Sequence, residues 1–109
     1  MHHIDGTVLI HKRVTKHRFR KSIIEAWEGR CAYCDCVPTG KITLDHVIPK
    51  VLGGQKVREN LVPACVPCNI SKNHCNWIEW YRSQPFHCPE REERVRAWLI
   101  IGSTGSGPE

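Results

Sequence analysis

Two cysteine pairs, Cys31–Cys34 and Cys65–Cys68, constrain this chain more than any other feature. Each has the C-x2-C spacing that lets two thiolates reach one tetrahedral ion, and the 30 residues between Cys34 and Cys65 must fold back for the pairs to meet. Four thiolates around zinc make a closed site with no position for substrate, so this metal is expected to be structural. Iron could use the same ligands, but nothing else in the sequence suggests electron transfer, and zinc is preferred. Cys36 is a rival for either position in its pair, although Cys31 and Cys34 have the better spacing. Cys75 and Cys88 read as buried free thiols, and His74-Cys75 and His87-Cys88 lack standard spacing for a second metal site.

At 109 residues the chain is expected to form one domain with a modest core, which a bound metal would help to fold. The Met1–Gly6 segment is polar, without the apolar stretch of a secretion signal, and the longest apolar run, Ala97–Ile101, is too short to span a membrane. An odd count of seven cysteines in such a chain predicts a cytoplasmic, reduced protein whose thiols hold metal instead of forming disulfides. The net charge of +5 is unevenly spread. Between Gly6 and Ile24 there is no acidic residue, while Lys12, Arg13, Lys16, Arg18, Arg20 and Lys21 crowd ten positions. That cluster is either a solvated helix face or a phosphate-binding surface, and its nearness to a candidate catalytic segment favours nucleic acid.

The pattern along the chain predicts a strand or extended arm at 7–10, within an N-terminal basic arm over residues 1–14. A helix from Thr15 carries Phe19, Ile23 and Trp27 at four-residue spacing, with Gly29 just past its end. A cysteine knuckle over 31–36 precedes a strand at 42–46, ended by Pro49. A Gly53-Gly54 loop leads to an extended 61–64 segment. One helix is then expected from about 67–69 to 82, with Ile70, Trp77 and Tyr81 inward, and a last one from Pro89 burying Val95, Trp98 and Leu99. Pairs at Glu90–Arg94 and Glu92–Arg96 would lace that final helix. Residues 102–109, rich in glycine and serine, read as a disordered tail.

Between the cysteine pairs lie Asp45 and His46, and Asn69 directly follows Cys68. A neutral imidazole has the pKa for a general base near pH 7, and a carboxylate with an amide oxygen offers two hard ligands for a divalent ion. Taken singly, each has a bland alternative: Asp45 orienting His46 through a hydrogen bond, and Asn69 capping a helix. In a regular strand Asp45 and His46 point to opposite faces, so they can share one site only where the strand ends or twists.

Four pieces in order, C-A-Y-C, L-D-H-V-I-P, L-G-G and E-N-L-V-P-A-C-V-P-C-N-I-S-K, resemble the HNH nucleases over Cys31 to about Lys72. The resemblance implies an α+β fold: a small ββα-metal core with a zinc knuckle and flanking helices, forming an HNH nuclease domain over 15–101. It implies His46 as general base, Asp45 and Asn69 as ligands of catalytic Mg²⁺ or Mn²⁺, and Asn60 as the residue fixing the loop between the strands. The last motif histidine is replaced by Asn69, which is similar to phage junction resolvases of the endonuclease VII type. Lys72, three residues past Asn69 on the same helix face, is either a phosphate contact or a plain solvated lysine, and the start of the Asn69 helix would favour an anion. The expected partner is DNA, double-stranded, in a bacterial or phage-infected cell, with oligomeric state open. The principal alternative is a non-catalytic zinc-knuckle nucleic-acid-binding module; a zinc scaffold for protein partners is a third reading.

Overall fold

The computed structural model describes the backbone of residues 4–105 and the side chains of residues 15–100. At its centre β1 (Ile42–His46) and β2 (Leu61–Cys65) pair antiparallel, with Ile42 opposite Cys65 at one end and His46 opposite Leu61 at the other. β2 is buried along its whole length, including Pro63, whose missing N–H a two-stranded sheet tolerates. Its chain runs straight into α2 (Val66–Lys72), which packs on both strands and completes a ββα unit. The fold is α+β: this hairpin with α1 (Ile4–Ala26), α3 (Trp77–Arg82) and α4 (Pro89–Gly105) around it.

Three elements depart from the sequence-based expectation. α1 begins at Ile4, so residues 7–10 are helical and Thr15 lies inside the helix instead of capping it. The segment from Thr7 to Glu28 contains neither proline nor glycine, and its β-branched residues each cost a helix only about 0.7 kcal/mol or less. The single helix expected to 82 is two, α2 and α3. Asn73, at φ 52°, ends the first, and the Asn76 side chain caps the second by accepting from the N–H groups of Ile78 and Glu79. With the turn broken there, Ile70 no longer shares a face with Trp77 and Tyr81 and stands 72% exposed. α4 continues to Gly105, four residues into the stretch expected to be a disordered tail; residues 106–109 lie outside the described residues.

The core forms where these elements meet. Ile23 and Trp27 from the end of α1 pack with Tyr33, Val62, Tyr81 and Val95, all fully or almost fully buried. Gly29, at φ 70°, closes α1 by donating to the Ile24 carbonyl, a left-handed position that suits glycine. α4 straps the cysteine knuckle to the body. Arg91 donates to the carbonyls of Cys31 and Ala32 and pairs with Asp35 at 2.9 Å. Glu92 pairs with Arg96 as expected, at 2.9 Å, but Arg94 lies over the Trp27 ring and donates to the Ala26 carbonyl instead of pairing with Glu90. Among the described residues, no helix is long and apolar enough to cross a membrane.

Candidate active site

The hairpin carries the thiols and the candidate catalytic residues toward opposite ends. At the Ile42–Cys65 end, the Sγ atoms of Cys31, Cys34, Cys65 and Cys68 all lie within 4.8 Å of one another. Ligands about 2.3 Å from a tetrahedral zinc stand about 3.8 Å apart, and Cys34 and Cys65 sit at 3.8 Å. The four thiols therefore fit a metal such as zinc. Crowded thiols cannot all ionise without a cation between them. The Cys68 thiol, by donating to Cys31, lowers the latter to about 5, while burial pushes Cys34 up to about 12. Cys36, the rival ligand, is exposed and outside this cluster; Cys75, expected to be buried, is exposed as well. His87 pairs with Glu92 at 2.7 Å, and no second metal cluster forms with His74, Cys75 or Cys88 among the described residues.

At the other end, Asp45, His46 and Asn69 line one cleft of about 310 Å³, together with Pro49, Lys50 and His74. The alternation of β1 does turn Asp45 toward α2 and His46 away from it, but the strand stops at His46, so both reach the same opening. Asp45 is 6% exposed and is held by two groups on one oxygen. The Tyr33 hydroxyl donates to Oδ2 at 2.7 Å, and the Lys72 ammonium lies 3.1 Å from the same atom. Oδ1 has no protein partner among the described residues. Burial raises the Asp45 pKa, against the pull of Lys72 and Tyr33.

Asn69 donates its amide to the Thr43 hydroxyl at 2.8 Å, and Thr43 in turn donates to the Ala64 carbonyl. With its nitrogen turned to Thr43, the amide keeps its oxygen available to a cation. Asp45 and Asn69 both line the cleft, and a carboxylate and an amide oxygen are the donor types that could hold a hard divalent ion. The His46 pKa is lowered, first by burial and then by the Lys50 charge, which favours the neutral ring. Its Nε2 is buried with no hydrogen-bond partner among the described residues.

Lys72 does not face solvent. It is fully buried, paired with Asp45 and donating to the His46 carbonyl at 2.9 Å, so the expected phosphate contact is replaced by a role beneath the site. An ammonium can be buried here because a carboxylate and a carbonyl meet it together. α2 is only seven residues long, so the expected anion site at its start has little helix behind it. Tyr33, from C-A-Y-C, went unnoticed in the sequence. The only available signal was an aromatic residue inside a knuckle, where its reach to Asp45 depends on the fold-back. Tyr33 also accepts at its carbonyl from the Tyr81 hydroxyl at 2.8 Å, linking α3, the knuckle and the cleft.

The loop between the strands is fastened by Asn60. Its oxygen accepts from the Ile48 N–H at 2.9 Å, and its amide donates to the carbonyls of Ile48 and Gln55. Gly54 fits beneath it because a Cβ there would stand 1.6 Å from the Ile48 oxygen. Of the basic cluster, Lys16, Arg18 and Lys21 are exposed, and Lys21 faces Glu25 at 3.9 Å; Arg20 is half-buried and donates to the Ile42 carbonyl. The side chains of Lys12 and Arg13 lie outside the described residues.

A thiol-clamped ββα hairpin carrying a histidine at the end of its first strand is also what comparison with known proteins finds. Residues 31–75 match the family model described as HNH endonuclease. Over 86 residues, 74% of the chain, it is 30% identical to the CRISPR-associated endonuclease Cas9 of Corynebacterium diphtheriae. The chain spans only 8% of that relative's length.

Proposed function

We propose that this protein is a metal-dependent DNA endonuclease or nickase. The observation that carries the reading is the convergence of Asp45, His46 and Asn69 on one cleft, with a buried imidazole nitrogen that has no partner among the described residues. A buried polar atom of that kind finds its partner in water or a ligand. His46, favoured as the neutral ring, takes the proton from the water that attacks the scissile phosphorus in line. Asp45 and Asn69 would hold one Mg²⁺ or Mn²⁺, which when bound neutralises charge on a non-bridging oxygen and on the departing 3′ oxygen. Tyr33 and Lys72 keep the Asp45 carboxylate in place, and Thr43 keeps the Asn69 amide turned. The products are 5′-phosphate and 3′-hydroxyl ends. Zinc on the four cysteines contributes geometry, because Cys68 and Asn69 are neighbours on α2 and anchoring one places the other. The relative's printed name, an endonuclease, and the basic face of α1 support nucleic acid as the substrate.

A plasmid-nicking assay with Mg²⁺ or Mn²⁺ tests this, with DNA binding measured in parallel. Wild type should convert supercoiled DNA to nicked or linear forms, and His46→Ala should bind DNA but cleave it at least about 100-fold more slowly. DNA binding without cleavage by the wild type would instead identify a zinc-knuckle binding module.

A further inference from the structure

A second groove opens on the opposite side of β1 from the Asn69 face. Its volume is about 620 Å³, in the range of about 300–1,000 Å³ that accommodates small organic groups. Phe19 from α1 and Ile42, Leu44 and Leu61 from the hairpin form an apolar floor. Lys16, Arg20, Lys41 and Lys56 stand around it, and no carboxylate is among its described lining residues. Lys16, His17, Phe19 and Arg20 belong to α1; Lys41 comes from the turn before β1 and Lys56 from the loop after it, so three separate segments place positive charge on one rim. His46 lines this groove as well as the candidate catalytic cleft, so the imidazole borders both openings.

Resting on the nuclease reading above, we propose that this groove takes an unpaired nucleotide next to the scissile phosphate, its base laid on Phe19 and its phosphates on the lysine rim. Charge and shape both favour that occupant. A paired duplex offers phosphates to a cationic surface but keeps its bases stacked on each other, leaving an apolar floor of this size uncovered. A nucleotide freed from its stack has an aromatic face to bury and one phosphate on either side for the cations. A purely apolar ligand would leave Lys16, Lys41 and Lys56 unanswered, and a simple anion would leave the floor exposed. The preferred substrate is therefore DNA with an unpaired position at the cut: a single strand, a bulge, a loop or a branch.

Binding with no divalent ion added beyond the structural zinc tests the groove independently of cleavage. Three labelled oligonucleotides are compared by anisotropy: a perfect duplex, the same duplex with a short unpaired loop carrying 2-aminopurine, and the loop strand alone. Zinc-loaded wild type should bind the looped and single-stranded forms at least about five-fold more tightly than the duplex and quench the 2-aminopurine. Phe19→Leu keeps an apolar side chain on the core but removes the ring, and should abolish both the preference and the quenching. Lys41→Ala combined with Lys56→Ala, both at exposed positions, should weaken binding of looped DNA and flatten its salt dependence. Equal affinity for looped and perfect duplex, or a preference untouched by Phe19→Leu, would overturn the proposal. Repeating the series in Mg²⁺ separates it from the parent reading: a base preference without added Mg²⁺ but no cleavage with it sinks the nuclease, and cleavage without a base preference sinks only the groove.

Discussion

The two ends of the β1–β2 hairpin are built by different physics. At the Ile42–Cys65 end four thiols converge closely enough to hold a metal, which in a domain this small would substitute for a larger core. At the His46–Leu61 end there is no such cluster among the described residues. The loop is held by Asn60 and by the absence of a side chain at Gly54, and the carboxylate by a buried lysine and a tyrosine hydroxyl. α2 joins the two, carrying Cys68 at one end of its span and Lys72 at the other. The metal end is thus expected to govern whether the domain folds, and the hydrogen-bonded end how well the cleft is formed.

The sharpest way to break that division is to remove the metal. Structural zinc in small domains contributes roughly 10–16 kcal/mol, comparable to or above the whole stability of about 5–15 kcal/mol. Cys68→Ser or a strong chelator should therefore abolish the cooperative thermal transition, read by circular dichroism. An unchanged melting curve after complete zinc removal would erase the distinction between the two ends. Lys72→Met comes next. It strands the buried Asp45 carboxylate beside Tyr33 and should cost about 3–5 kcal/mol in denaturant unfolding while zinc content stays at one per chain. Loss of zinc in that variant would mean that the ends are not separable. Asn60→Ala should be milder, about 1–3 kcal/mol, because the Ile48 N–H and carbonyl lose their partner. Amide exchange should speed up between Val47 and Asn60 and remain slow around Cys31 and Cys65; a uniform change would blur the comparison instead of sharpening it.

The thiol end was readable from the chain because metal ligands announce themselves by spacing, and four cysteines at two short intervals leave little choice of partner. β1 was readable to the residue, since Ile42–His46 is a compact β-forming run closed by Pro49. What escaped depends on contacts between distant segments. Tyr33 meets Asp45 twelve positions away only because the knuckle folds over the hairpin. Lys72 looked like a surface cation because periodicity cannot reveal that α2 stops at Asn73 and turns its last residue inward. The same break explains Ile70, assigned to an inner face that would exist only in a longer helix. The reach of α1 to Ile4 reflects local competition between weak propensities, where the β-branched Thr7, Val8 and Ile10 suggest a strand and the lack of any breaker permits a helix.

Direct counting of the hydrolytic cation tests the centre of this account. Zinc-loaded wild-type protein titrated with Mn²⁺ and followed by electron paramagnetic resonance should bind one Mn²⁺ at the cleft. Asp45→Asn and Asn69→Ala should each weaken that binding at least about ten-fold, whereas His46→Ala should retain it. Mn²⁺ bound equally well by the wild type and both ligand variants would contradict the assignment of Asp45 and Asn69 to one cation.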